Sequence, residues 1–171
     1  MTRPDTDERA DLVQALGQAR FFLRHTLRDL RSDQAAERTT VSELTLGGLV
    51  KHVTLTERQW SDFIVQGPSA MLAYDDPDAV KGWTDAFRIG EGESLQGLFD
   101  AYDGVARRTD ELVRTLPDLG ATQPLPPAPW FEKGARWSAR RVILHIIAET
   151  AQHAGHADII RESLDGAKSM G

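Results

Sequence analysis

The chain contains no cysteine. This absence excludes disulfides, zinc fingers, iron–sulfur clusters and cysteine nucleophiles. There is also no run of about 18 apolar residues, the length that a helix needs to cross a bilayer. The segment from Met1 to Asp11 is charged rather than apolar, so it does not resemble a secretory signal peptide. We therefore expect a cytoplasmic protein with no membrane-spanning segment.

An excess of positive charge is lacking as well. The 20 lysines and arginines are outnumbered by 26 acidic residues, which gives a net charge of -6. Binding to nucleic acid or to an anionic membrane surface draws most of its strength from basic side chains. Neither partner is expected here. The glycine-rich phosphate loops and the Gly-x-Ser-x-Gly nucleophile elbow are also missing, which argues against the enzyme classes built on those motifs.

Apolar residues recur at helical spacing in four segments of the chain. A length of 171 residues suits one domain, which we expect to span residues 1–171. The predicted helices run from Asp5 to about Leu30, from near Thr45 to Gln66, from Leu95 to Leu116, and from Ala139 to about Leu164. No segment shows the alternation of a β-strand. The pattern therefore predicts an all-α fold, a four-helix bundle with long connections.

Local signals mark the ends of these helices and the character of the connections. Thr45, Ser94 and Ser138 are suitable N-caps, and Gly166 is the expected residue after the last helix. The connection 67–93 is rich in proline and glycine and is expected to be a long loop, with one short helix near residues 78–87. The proline-rich segment 123–130 is predicted to be extended. Residues 31–42 are predicted to form a turn.

Two glycines, Gly47 and Gly48, lie in the first turn of the second predicted helix. Glycine is a weak helix former, so its use twice in succession needs another reason. The absence of side chains there would let another part of the backbone approach the helix closely. We expect such a close approach at this point.

The last predicted helix carries two polar residues where apolar ones are expected. At about 100° per residue, its buried stripe contains Val142, Ile146, Ile160 and Leu164. Glu149 and His153 fall in or beside the same stripe, midway along it. Burying an unpaired carboxylate costs several kcal/mol. A shared divalent cation would compensate both groups, since residues four apart on a helix project to the same side.

A third ligand for such an ion is expected from another helix. His52 lies at the edge of the stripe on the second helix, so the predicted metal ligands are His52, Glu149 and His153. This set leaves positions open for water or substrate, as catalytic sites do. Zinc suits the donors best, and nickel, iron and cobalt are alternatives. His145 and His156, on the flank of the stripe, are the candidate catalytic residues, as a proton shuttle or as a partner that orients a ligand.

Simpler interpretations remain open at this stage. In one alternative, Glu149 forms an ordinary helical charge pair with His153 or His145 on a partly solvent-exposed face of the helix. His52 taken alone is more often a semi-buried histidine than a ligand. The tryptophans are expected to anchor the core and the loops rather than to form a stacking platform, and His25 is expected at the surface.

Two stretches resemble a known superfamily. Residues 45–60 (TLGGLVKHVTLTERQW) and 137–162 (WSARRVILHIIAETAQHAGHADIIRE) look like the second and last helices of the DinB-like (YfiT-like) metal-dependent superfamily. The resemblance implies a four-helix bundle with a divalent metal, usually zinc or nickel. Its ligands are commonly one histidine on the second helix and two, four apart, on the last. Carried over, these are His52, Glu149 and His153, with Glu149 in place of a histidine, as in the mycothiol-dependent maleylpyruvate isomerase branch.

The same resemblance implies an activity. Relatives in the mycothiol and bacillithiol S-transferase-like branch join a low-molecular-weight thiol to an electrophile. An Arg-, Asp- and Ala-rich composition fits a high-GC actinobacterial source, which favours mycothiol. The expected function is thus a metal-dependent transferase acting on a thiol and an electrophilic small molecule. The alternatives are a hydrolase that uses metal-activated water and a non-catalytic bundle that binds a ligand or another protein. A homodimer is expected by analogy with other small bundles.

Overall fold

The computed structural model describes residues 5–71 and 76–170, with side chains from residue 8 onward. The expectations that fall on residues 1–4, on residues 72–75 of the long connection and on Gly171 therefore lie outside the described residues. The helices are α1 (Asp5–Thr26), α2 (Ser32–Ala35), α3 (Leu46–Gln66), α4 (Pro77–Asp85), α5 (Leu95–Thr115) and α6 (Ala139–Asp165). A 3₁₀ helix, Gly67–Ala70, follows α3, and two short strands are β1 (Thr122–Pro124) and β2 (Arg136–Ser138).

The four long helices α1, α3, α5 and α6 pack together, which confirms the predicted all-α bundle. Their ends follow from local chemistry. The hydroxyls of Thr45, Ser94 and Ser138 each accept a hydrogen bond from a backbone N–H in the first turn, as predicted for N-caps. Gly166 ends α6 in the left-handed conformation, with φ 78°.

The first helix is shorter than expected. It ends at Thr26 rather than near Leu30, and Asp29 adopts a positive φ of 61° beyond that end. The Arg161 guanidinium, buried on α6, donates to the carbonyl oxygens of Thr26 and Arg28, each at 2.8 Å. These bonds satisfy carbonyls that the helix end leaves free, so the chain can turn there.

The connections are more ordered than the sequence predicted. The predicted turn after the first helix contains α2, and the long connection contains the expected short helix as α4. The bundle also carries two short strands that no sequence pattern marks: β1 and β2 pair antiparallel, with Gln123 opposite Trp137. Three residues per strand are too few to show an alternating pattern in the sequence. The Gln123 side chain also donates to the carbonyl oxygen of Ile64, which joins this hairpin to the end of α3.

The buried apolar side chains form two clusters, one toward each end of the bundle. The first contains Leu23, Leu49, Val53, Tyr102 and Ala157, and the second contains Leu16, Trp60, Phe63, Val113 and Ile146. Every long helix passes from one cluster to the other through buried or half-buried polar residues. These residues form a polar layer across the middle of the bundle: Arg20, Glu57, Thr109, Asp110, Glu149, Thr150 and His153.

One side of the polar layer is an ion-pair network of three residues from three helices. Arg20 on α1 donates to both carboxylate oxygens of Glu57 on α3, at 2.5 and 3.2 Å. It also donates to Asp110 on α5, at 2.8 Å. Glu57 is fully buried, so this network compensates a carboxylate that would otherwise be costly inside the bundle. In the described part of the chain, no helix is both long enough and apolar enough to span a membrane.

Candidate metal centre

His52 lies on α3, and its side chain points into the bundle. Only 4% of the residue is exposed. The Phe87 ring stacks on one face of the imidazole, with ring centroids 4.0 Å apart. Burial, assisted by the charge of nearby His153, lowers the pKa of His52 to about 4. The imidazole is therefore neutral at physiological pH, which is the form that binds metals.

The Nδ1 atom of His52 is fully buried and has no hydrogen-bond partner among the described residues. Its other ring nitrogen, Nε2, lies 3.5 Å from the Thr56 hydroxyl. Buried polar atoms are nearly always paired, so an orphaned imidazole nitrogen needs an explanation. A cation bound beside it would supply one.

Glu149 and His153 lie one turn apart on α6, with Oε2 of the glutamate 3.6 Å from Nε2 of the histidine. His153 is buried, whereas the Glu149 side chain is 32% exposed. The pKa of Glu149 is held below its ordinary range, chiefly because its carboxylate faces the His153 imidazole. Glu149 is therefore a carboxylate at neutral pH and can act as an anionic ligand.

The three candidate ligands converge on one point. One donor atom from each of His52, Glu149 and His153 lies within 4.8 Å of the other two. The His52 and His153 rings meet edge to face, with centroids 4.7 Å apart. Two imidazoles and one carboxylate form the donor set that zinc and similar ions accept. The residues present thus fit a divalent metal ion, and the cluster could bind one.

The two flanking histidines have different surroundings. Nδ1 of His156 lies 3.3 Å from Nδ1 of His153, on the side of that ring away from the Nε2 atom facing Glu149. A hydrogen bond between the two Nδ1 atoms needs one ring to donate and the other to accept, and when His153 donates, its Nε2 carries no proton and can bind a metal. His145 instead contacts the rings of Trp60 and Trp137, at centroid distances of 4.8 and 5.2 Å.

A cavity of about 260 Å³ opens beside the cluster, and His52 and Glu149 both line it. His145 lines it as well, and burial lowers the pKa of that imidazole. His145 is therefore mostly neutral at neutral pH and can accept a proton from a molecule in the cavity. His156 is not among the lining residues.

Sequence reasoning missed several residues that shape this site. Phe87, which packs on His52, comes from the turn after α4, and no periodic pattern marks it. The aromatic side chains that wall the cavity come from three separate segments of the chain, α3, α4 and residues 130–137.

Comparison with known families finds a match over most of the chain. The family model described as Mycothiol-S-transferase matches residues 11–166. The matched range contains all of the candidate ligands and both flanking histidines. No curated protein and no solved structure matches the chain.

Proposed function

The chain belongs to the mycothiol-S-transferase family, and on this premise we propose that it joins a low-molecular-weight thiol, mycothiol, to an electrophilic carbon. The observation that carries the proposal is the convergence of His52, Glu149 and His153 beside a cavity that His52 and Glu149 line. Such a cluster can hold a metal ion next to a cavity of about 260 Å³ that admits a small molecule. The structure of the site thus suits a reaction between a thiol and a second small molecule.

The proposed ligands are His52, Glu149 and His153, and zinc is the proposed metal, with nickel or iron as alternatives. A divalent ion held there would lower the pKa of a coordinated thiol, so that the reactive thiolate is available at neutral pH. Glu149 supplies one negative charge, and the two imidazoles supply neutral nitrogen donors. With a metal bound, Nδ1 of His153 would donate to Nδ1 of His156, so that Nε2 of His153 is free to bind the ion.

The proposed reaction is a substitution at carbon. The thiolate sulfur forms a bond to the electrophilic carbon while the bond from that carbon to its leaving group breaks. The leaving group departs with the electron pair. The proton released by the thiol passes to the neutral imidazole of His145, which lines the cavity, and from there to solvent. Atoms and charges balance without an oxidant or a reductant.

The proposal extends to the setting of the reaction. We place it in the cytoplasm, where thiols are kept reduced. A homodimer stays a prediction, which the mass of the protein in solution by light scattering would test.

Metal analysis and a conjugation assay together test this function. Protein loaded with zinc should contain one ion per chain and should accelerate the reaction of mycothiol with iodoacetamide. The His153→Ala variant should lose both the stoichiometric metal and the acceleration. The matched control is His25→Ala, which removes a histidine stacked on Phe21, remote in sequence from the cluster, and should keep both.

Three results would contradict the proposal. Full metal content in His153→Ala would reject the ligand assignment. Conjugation that persists after the metal is removed by a chelator would reject its role in the reaction. Hydrolysis of a simple ester, with no thiol-dependent conjugation, would favour the hydrolase alternative.

A further inference from the structure

The cavity beside the metal cluster has an aromatic wall. Trp60 and Trp137 stack on each other, with ring centroids 5.1 Å apart and 18° between their planes. Phe131 meets the edge of Trp137 at 5.6 Å, and Trp130 meets Phe131 at 6.0 Å. Trp83, from α4, also lines the cavity. Because these rings contact one another, most of the wall is already assembled before any ligand binds.

The wall is fixed to the bundle at several points. Trp60 is buried in α3 among the apolar residues of the second cluster. Trp137 lies in β2, opposite Gln123, whose side chain bonds the end of α3. The loop that bears Trp130 and Phe131 connects β1 to β2, and the pairing of these strands holds its two ends together. A preformed aromatic surface binds flat apolar ligands at a low entropic cost.

The polar groups of the cavity are few. Apart from the metal cluster, they are Thr56, Gln59 and His145. Within the described ranges, no lysine or arginine lines the cavity. The Arg141 guanidinium contacts the wall, 4.2 Å from the Trp137 ring, but does not belong to the lining. A carboxylate on a ligand would therefore find no cationic side chain among the described residues that line the cavity.

The metal cluster does not supply that partner either. A divalent ion held there would carry two positive charges, which the carboxylate of Glu149 and the thiolate of the first substrate would balance. No net charge remains to attract an anion once the thiol is in place. An anionic ligand would lose its hydration against aromatic walls without compensation.

We propose that the cavity walled by Trp60, Trp83, Trp130 and Trp137 binds the second substrate, and that this substrate is an uncharged, planar aromatic electrophile. This inference rests on the proposed transferase function for its electrophile and for the charge at the metal cluster, whereas the aromatic lining without lysine or arginine belongs to the cavity itself. The sugar part of the thiol is a less suitable occupant, because its many hydroxyls would face mostly apolar side chains.

A matched pair of electrophiles tests the selectivity. Benzyl bromide and para-(bromomethyl)benzoate carry the same reactive carbon, and they differ in one carboxylate. With zinc-loaded protein and saturating mycothiol, each rate is corrected for the reaction without protein. We expect kcat/KM to favour benzyl bromide by about tenfold or more. Equal values would overturn the inference.

A variant that adds a positive charge to the cavity should reduce the preference for the uncharged electrophile. Gln59→Lys places an ammonium group in the lining, and it should raise the relative rate of para-(bromomethyl)benzoate by about tenfold. A ratio unchanged by Gln59→Lys would show that the cavity does not contact this part of the substrate.

Binding of an unreactive aromatic separates the two proposals. Naphthalenemethanol, added to zinc-loaded protein with mycothiol present, should bind by calorimetry, and Trp83→Ala should weaken its binding by about fivefold. Phe21→Ala, which removes an exposed aromatic from α1, is the control and should leave the affinity unchanged.

The outcomes distinguish the site from the reaction. Binding that depends on Trp83, without any conjugation, would reject the transferase function and retain the aromatic site. Conjugation of iodoacetamide without binding of naphthalenemethanol would reject the aromatic site and retain the transferase. Displacement of naphthalenemethanol by mycothiol would place the sugar in the cavity and overturn the inference.

Discussion

The Phe87 ring stacks on the imidazole of His52, with 4.0 Å between ring centroids and 19° between ring planes. Phe87 reaches this position because the backbone of its own turn lies directly against the first turn of α3. A methyl group on Gly48 would come within 1.8 Å of the Phe87 carbonyl oxygen, and one on Gly47 within 2.2 Å of the Ile89 side chain. The close approach expected from the two glycines is confirmed. It helps to cover a candidate metal ligand.

We predict that Gly48→Ala weakens metal binding without changing any ligand. The new Cβ cannot share space with a backbone carbonyl, so the turn carrying Phe87 must move away from α3. His52 then loses its stacked partner and gains contact with water, which leaves it less fixed in position. Zinc affinity, measured by competition with a chromophoric chelator, should fall by about tenfold.

Gly17→Ala is the matched control for this substitution. Gly17 is an exposed residue in α1, and a Cβ there meets nothing within 4 Å. Alanine is the better helix former, so this variant should gain roughly 0.5–1 kcal/mol of stability and keep its zinc affinity. If Gly48→Ala retained the affinity of Gly17→Ala, the proposed role of the close contact would be wrong.

A second prediction concerns the acid stability of the metal-free protein. The pKa of His52 is about 4 in the folded chain, against 6.5 as its ordinary value, because burial and His153 disfavour the charged form more than Glu149 favours it. The unfolded chain therefore binds more protons between these two values. The free energy of unfolding should then decrease as the pH falls from about 6.5 to about 4, by at most about 3 kcal/mol from this group.

Urea unfolding in the presence of a chelator measures this effect. The His52→Gln variant lacks the titrating group, so its stability should change less than that of the original chain over the same interval. The difference between the two pH dependences isolates His52 from the other histidines. Parallel curves would contradict a buried, neutral His52.

Much of the site could be predicted from one rule applied to helical periodicity. Polar residues in the middle of an apolar stripe need a compensating partner, and Glu149 and His153 satisfy that description on α6. The same rule applies to Arg20, between Leu16 and Leu23, and to Glu57, between Val53 and Trp60. Those two residues form the ion pair on the other side of the polar layer. A polar residue within an apolar stripe can thus be compensated by a bound cation or by an ion pair with another helix, and only the three-dimensional structure distinguishes the two.

The parts that the sequence did not predict depend on contacts between distant segments. The β1–β2 pair joins residues on either side of the Trp130 segment, and each strand is too short to carry a periodic signal. The cavity wall combines α3, α4 and that hairpin, so no local pattern describes it. Arg161 lies outside the apolar stripe of α6, yet it is buried against the end of α1, where its guanidinium donates to the carbonyl oxygen of Thr26.

A third prediction addresses the ion pair in the polar layer. Glu57→Ala removes the main partner of a buried guanidinium and leaves Arg20 with Asp110 alone. Breaking a buried pair from one side costs about 3–5 kcal/mol, because the remaining charge is no longer compensated. The free energy of unfolding in urea should fall by that amount.

An exposed ion pair provides the comparison for Glu57→Ala. Glu162 and Lys168 are paired at 3.1 Å, with each side chain about half exposed. Glu162→Ala should change stability by less than about 1 kcal/mol, since exposed pairs contribute little. A similar loss in both variants would mean that burial does not determine the contribution of Glu57.

The last prediction separates the roles of the two flanking histidines. His156 contacts the candidate ligand His153 but does not line the cavity, whereas His145 lines the cavity and packs against Trp60 rather than against the ring of a candidate ligand. His156→Ala should therefore lower zinc affinity by about 10- to 100-fold, because His153 loses the partner that orients it. His145→Gln should leave zinc affinity unchanged and lower kcat by about 100-fold through the loss of a proton acceptor.

In the original chain the rate should decrease with acid as His145 becomes protonated, below its ordinary pKa, and this limb of the profile should be absent in His145→Gln. Loss of zinc in His145→Gln, or an unaltered pH profile with normal zinc content, would assign His145 to the structure of the wall rather than to proton transfer.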